Sequence, residues 1–351
     1  MIDIQPGQPP LDSLKRGKRS ATIDLKNELG KGIFRKLCST ADVLIEPFRP
    51  GVMERLGLGP KPLLELNNRL IYARLTGFGQ DGKHAKRAGH DINYLALSGV
   101  LSLFSNQGKP TPPINMLADF AGGGMACTLG ILIALIERSR SNLGQVVDVS
   151  MVEGTRYVSS YIWHTQKSQA PALPFIWPNQ GRKEANLLDG GAHFYTVYET
   201  KDERWLSVGA IEPQFYANLL NVLGLTDSEY PQFELEQWPE FKEAFAAVFK
   251  QKTLAEWRKL FEDEADACVE PVLEYHEAEE MDKCITRPSF NADHTPKPAP
   301  LLSRTPGEPN LKDPAESEHT AEILRELGYS DEEIVQLSKE RAIDCRVETK
   351  L

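Results

Sequence analysis

The sequence predicts an α/β fold, a large domain built on a parallel sheet followed by a smaller α+β domain. Three observations carry that expectation. Short β-branched runs alternate with amphipathic stretches through the first half of the chain, the pattern of βαβ units. A stretch rich in Pro, Gly and Asn over residues 170–191 then breaks the alternation. Beyond it, two aromatic and β-branched runs flank Lys201-Asp202-Glu203, the signature of an antiparallel hairpin.

Residues 1–19 are polar and basic, with Lys15, Arg16, Lys18 and Arg19 clustered. They read as a solvated arm or as a cradle for phosphates. Residues 21–25 read as a strand. Residues 30–37 place Ile33, Phe34 and Leu37 at helical spacing. Residues 42–46 form a buried-type strand closed by Pro47 and Pro50, 61–68 a helix, and 70–75 a strand ended by Gly77 and Gly79. Helices follow at 89–105 and 116–140. The second is apolar nearly all round, so it is expected to be buried. Gly122, Gly123 and Gly124 weaken it, which points to a close approach by another backbone or a ligand. A strand at 145–149 and a helix at 151–167 complete a large domain over residues 1–189. The small domain, 190–292, holds the hairpin, helices at 213–223, 238–249 and 254–262, and a strand broken by Pro271. Residues 293–351 are a proline-rich return segment ending in two polar helices.

Composition narrows the function. A net charge of −10 argues against a nucleic-acid partner. Five cysteines without CxxC spacing fit a reducing compartment and speak against structural zinc or a disulfide scaffold. No Walker A loop, no GxGxxG opening a helix after a strand, no GxSxG elbow and no HExxH helix is present, and no clustered His set suggests a metal, so no metal site is expected. The longest apolar run, residues 131–136, is too short for a membrane span.

The chemistry-bearing residues lie at two helix starts. Gly89-His90-Asp91-Ile92-Asn93-Tyr94 opens one helix, and Asp119 stands at the head of a glycine run in the next. Titratable groups there meet free backbone N–H groups and the positive end of the helix dipole. An imidazole and a carboxylate are also what a two-base proton transfer needs. The plainer alternative is that Asp91 is the N-cap of its helix and Asp119 a cap or turn residue. Arg49 and Arg55 follow the end of a strand, where they could bind phosphate oxygens or form surface salt bridges.

Four motifs in order, Gly89-His90-Asp91-Ile92-Asn93-Tyr94, Ala118-Asp119-Phe120-Ala121-Gly122-Gly123-Gly124, Gly144-Gln145-Val146-Val147-Asp148 and Gly209-Ala210-Ile211-Glu212-Pro213-Gln214-Phe215-Tyr216, closely resemble the α-methylacyl-CoA racemases. These enzymes stand within the family III CoA-transferases of CaiB/BaiF type. The resemblance runs from about residue 16 to the C-terminus. It implies a Rossmann-like large domain, a smaller α+β domain and an interlocked homodimer. It further implies interconversion of (R)- and (S)-2-methylacyl-CoA thioesters, in branched-chain fatty acid and bile-acid-type metabolism, through an enolate. His90 and Asp119 would be the two bases, with Glu212 interacting with His90. Ile23, Asp24, Leu25, Lys26, Arg49, Arg55, Gly89, Asp91, Ile92, Asn93 and Tyr94 would contact CoA or the thioester. No cofactor is implied, CoA being part of the substrate.

Two other readings share the resemblance: a CoA-transferase with Asp119 as nucleophile, and a non-catalytic CoA-binding chain. The family pattern also leads one to expect a further strand and helix ahead of this chain's start. Thr349-Lys350-Leu351 approximates the peroxisomal Ser-Lys-Leu address, so the peroxisome is the expected location, with the mitochondrion as a second.

Overall fold

The computed structural model describes residues 2–5, 14–167, 176–179, 182–264, 266–282, 289–307 and 312–345; the Thr349–Leu351 end lies outside them. The chain folds as two compact units. Met1–Gly89, Asp119–Gly154 and Asp282–Leu351 make the first, and His90–Ala118 with Thr155–Met281 the second. Contacts divide the chain at other points than its linkers do: residues 155–189 belong with the hairpin that follows them, and 282–351 return to the first unit.

In the first unit the strands Val43–Glu46, Ile71–Thr76 and Val146–Ser150 form a parallel sheet in that order. The central strand is almost wholly buried, as a parallel strand covered on both faces should be. Phe34, Met53, Leu58, Leu63 and Tyr72 pack in one cluster against it, and Ala73 with Cys127 and Val149 in another. The expected alternation of strands and helices is therefore present. The Arg19–Ile23 strand, however, stands in a second sheet, paired in parallel with Ile2–Gln5 and antiparallel with Ile343–Asp344. Residues 2–5, read from sequence as arm, are a strand.

The tail helices Thr320–Glu326 and Asp331–Lys339 close over this second sheet, burying Leu324, Ile334 and Leu337 with Ile23 and Ile33. Arg19 Nη1 bonds Glu322 at 2.8 Å and Glu326 at 2.7 Å. Arg16 pairs with Asp293 at 2.7 Å, and Lys15 is buried. The two arginines of the basic cluster thus hold the return segment and do not form a phosphate cradle.

The second unit carries an antiparallel sheet in the order Val269–Pro271, Trp205–Gly209, Tyr195–Glu199. Helices Pro213–Leu223, Trp238–Phe249 and Leu254–Glu264 accompany it. Phe194, Phe245, Phe249, Trp238 and Trp257 form the heart of this core. The hairpin and these helices stand where the sequence places them.

The Met116–Ser141 helix corrects one expectation. It is not buried: Met125 is 71% exposed and Ile136 59%. Only a narrow stripe, with Cys127 and Ala134, is buried, and the helix covers the strands Ile71–Thr76 and Val146–Ser150. All-round apolarity means burial only where every side has a partner, and among the described residues one side has none. By length and composition alone this helix would cross a membrane, which the short uninterrupted apolar run did not suggest. Its contacts are those of a helix layered on a sheet.

Candidate active site

The second unit supplies His90. The helix Asp91–Ser98 begins one residue after it, and His90 itself, extended at φ −133° and ψ 175°, is the N-cap. Its carbonyl accepts from Asn93 N at 2.8 Å and Tyr94 N at 3.2 Å. Its own N–H donates to Asn93 Oδ1 at 3.1 Å. The backbone of His90 is fixed from both sides while the residue stays exposed.

Asp91 is therefore not the N-cap, as its residue type suggests, but the first helical residue. It is buried, and its Oδ2 accepts the Ala118 N–H at 2.9 Å. A buried carboxylate satisfied by a backbone donor is a structural tie. Tyr94 and Leu95 face inward, whereas Ile92 and Asn93 are exposed. The helix stops at Gly99, with φ +89°, well short of residue 105. A side chain there would be strained, and its Cβ would stand 3.3 Å from the Trp163 ring.

Glu212 lies in the same unit, at the N-cap of Pro213–Leu223. Its carbonyl accepts from Tyr216 N at 3.0 Å, and the residue is exposed. Among the described residues Glu212 and His90 share no hydrogen bond.

The first unit supplies Asp119, which is half-buried in the Met116–Met125 turn of π-helix. Gly122 and Gly123, just beyond, are buried. A Cβ on Gly154 would overlap the Gly122 carbonyl oxygen. The close approach that the glycine run foretells is therefore made by this chain's own backbone.

The same unit holds the candidate CoA residues. Ile23 ends its strand, buried. Asp24 N donates to Ala342 O at 2.9 Å, and Asp24 Oδ1 accepts from Lys26 N at 2.8 Å. Asn27 caps the helix Glu28–Cys38, its Oδ1 accepting from Leu29 N at 3.0 Å. Asp24, Leu25 and Lys26 thus form the tight link between a strand's carboxyl end and a helix's amino end, where α/β folds bind anions. Gly30 is needed for it, since a Cβ there would overlap the Asp24 carbonyl oxygen.

Arg49 precedes and Arg55 ends the short helix Val52–Arg55, which Gly51 opens at φ +87°. Both are exposed, and neither has an ion pair among the described residues. Of the two readings, the phosphate contact stays available and the salt bridge is absent.

Sequence reading missed a third arginine. Arg74, 7% exposed, bonds Glu46 at 2.8 Å and Glu54 at 2.7 Å. Burial pushes the Glu46 carboxyl up, against the pull of Arg74. The available signal was a charge inside each of two strands that otherwise read as buried. The tie between Asp91 and Ala118 left no comparable signal.

The fold is thus an α/β one with an anion-suited strand end, an exposed histidine at a helix start and an aspartate in a glycine-packed helix. The chain belongs to CoA-transferase family III, whose description matches residues 3–320. It is 55% identical over 338 residues to α-methylacyl-CoA racemase of Mus musculus, covering 94% of this chain and 86% of that one. With α-methylacyl-CoA racemase of Homo sapiens it shares 52% over 350 residues, covering 98% and 89%. The crystal structure of Rv3272, a Mycobacterium tuberculosis protein, shares the fold at a TM-score of 0.73 and 24% identity, over 92% of this chain and 90% of that one.

Proposed function

We propose that this chain is a racemase that interconverts the (R) and (S) epimers of 2-methylacyl-CoA thioesters. The observation that carries the reading is the identity of 55% with the mouse racemase across 94% of the chain. The local geometry is compatible with it.

In this scheme CoA is held through Arg49, Arg55 and the turn Ile23 to Lys26, with the segment Gly89 to Tyr94 at the thioester. Asp91 contributes through its backbone, its carboxylate being used on Ala118. His90 removes the α-proton from one face of the carbon and Asp119 returns one to the other; reverse turnover exchanges the roles. The carbon becomes acidic only if the enolate oxygen is stabilised as charge develops. First-turn N–H groups of the Asp91–Ser98 helix are suited to this, and such donors contribute about 3–4 kcal/mol each. Glu212 orients His90, from the same chain or from a partner. Neither cofactor nor metal takes part.

We also propose a homodimer. Met125, Leu129, Leu132, Ile133 and Ile136 are each more than half exposed on one helix, with exposures from 52% to 71%. A contiguous apolar surface of that kind marks an association site.

The test is incubation of each pure epimer of a 2-methylacyl-CoA with the full chain, with chelator and without added cofactor. Conversion of both toward one common mixture is expected. Absence of conversion, with CoA moving instead to an added carboxylate, would favour a transferase with Asp119 as nucleophile.

A further inference from the structure

Glu212 stands on a turn that leaves the strand Trp205–Gly209 and enters the helix Pro213–Leu223. The N–H groups of this turn find backbone partners. Gly209 N donates to Cys268 O at 2.9 Å, Ala210 N to Phe194 O at 3.0 Å, and Ile211 N to Gly209 O at 2.9 Å. Its carbonyls are met by a side chain. Gln232 Nε2 donates to Ala210 O at 3.1 Å and to Ile211 O at 2.8 Å. A primary amide has two hydrogens on that nitrogen, and here both go to consecutive carbonyls of one turn.

The segment that brings Gln232 is itself held. Gln232 O accepts from Trp238 Nε1 at 3.0 Å, and Trp238 is part of the aromatic core. Two residues earlier, Tyr230 O accepts at 2.6 Å from the hydroxyl of Tyr216, in the first turn of the helix after Glu212. The segment Tyr230–Gln232 therefore grips the Glu212 turn at two places, all within the unit that also carries His90. Gln232 is 6% exposed, and a buried amide is costly unless bonded. An aliphatic side chain would fill the same space without that cost. What the amide adds is the direction of the turn. Glu212 is extended at φ −73° and ψ 141°, exposed, and its carboxylate caps no helix N–H. The backbone beneath it thus sets where that carboxylate points.

We infer that Gln232 is a positioning residue for Glu212. The inference rests on the proposed racemase reading, in which Glu212 orients His90. Without the amide, the Ala210 and Ile211 carbonyls lose their donor and the turn relaxes. Glu212 then shifts, and His90 loses its alignment with the α-proton. Asp119 lies in the other unit and is joined to none of these bonds. The loss therefore falls on the face of the carbon that His90 serves.

Gln232→Met keeps the length and removes the donors. Gln232→Asn keeps the amide, withdraws it by one methylene, and is the milder variant. Trp257→Phe is the control, because it removes another buried bond of the same core, Trp257 Nε1 to Phe249 O at 2.8 Å, away from the turn. Each is assayed by α-proton exchange of both epimers of a 2-methylacyl-CoA. The epimer served by His90 is the one whose exchange His90→Ala abolishes. Gln232→Met should lower kcat for that epimer about tenfold or more, with KM changed less than about twofold and the other epimer affected less. Gln232→Asn should do the same to a smaller extent. In a Glu212→Gln background, Gln232→Met should cost little further, since both act through one carboxylate. An equal loss on both epimers, full additivity with Glu212→Gln, or a loss no larger than that of Trp257→Phe would overturn the assignment. If the unsubstituted chain exchanges no thioester, the racemase reading fails by itself. Amide hydrogen exchange of residues 209–212, followed by mass spectrometry, then decides the grip on the turn. Faster exchange there in both Gln232 variants than in Trp257→Phe supports it, and unchanged exchange refutes it.

Discussion

Acid should destabilise the second unit through one buried histidine. His193 is fully buried, with Phe194, Tyr216, Phe241 and Phe245 around it at ring-centroid distances of 5.0–5.5 Å. Its Nε2 lies 2.7 Å from the Tyr216 hydroxyl, which itself donates to Tyr230 O at 2.6 Å. Nε2 therefore carries the hydrogen and donates. Nδ1 is left without a partner, so a proton there would be a buried charge with nothing to bond. Burial pushes the imidazole down from 6.5 to about 3. The folded unit thus holds fewer protons than the unfolded chain below pH 6.5. Its stability is full above that value and falls as pH drops toward about 3. Acidification from about pH 8 to about pH 5 should cost about 2 kcal/mol from this group alone. The assay is urea unfolding followed by tryptophan fluorescence, because Trp163, Trp177, Trp205, Trp238 and Trp257 all lie in this unit. His193→Phe should reduce the acid-induced loss by about 2 kcal/mol relative to the unsubstituted chain. Identical pH profiles for the two proteins would refute the reasoning.

Asp91→Ala should cost about 1.5–3 kcal/mol in the same fluorescence assay, by stranding the Ala118 N–H; a change within error would show the tie to be dispensable. Arg74→Met should destabilise the first unit by about 3–5 kcal/mol in calorimetry, because Glu46 is left buried and unpaired. Adding Glu46→Gln should restore much of that loss, and failure to do so would refute the mechanism. Arg49→Ala and Arg55→Ala should each raise KM for CoA thioesters about tenfold or more and weaken its dependence on salt, with folding unchanged. An unaltered KM would remove these residues from the CoA site.

Much of the fold was legible because its signals are local. The strands Val43–Glu46 and Ile71–Thr76 announce themselves by β-branched runs closed by Pro and Gly, and the hairpin by its turn residues. What stayed hidden depends on distant partners. Pairing of Ile2–Gln5 and Ile343–Asp344 with Arg19–Ile23 joins opposite ends of the chain, and no local pattern encodes it. Arg16 and Arg19 look like phosphate ligands until their carboxylates arrive from residues 293, 322 and 326. At the site, helix starts were visible as residue types, but the exchange of roles between His90 and Asp91 was not. Asp is the better N-cap by preference, and a buried bond to Ala118 outweighs that preference.

The central claim is that His90 and Asp119 are two bases acting on opposite faces of one carbon. Epimer-resolved hydrogen exchange in heavy water tests it most directly. The unsubstituted chain should place deuterium at the α-carbon from either epimer and convert both. His90→Ala and Asp119→Asn should each lose racemisation by orders of magnitude. Any residual exchange should be confined to one epimer in the first variant and to the other epimer in the second. Racemisation at the original rate in either variant, or residual exchange of the same epimer in both, would contradict the account.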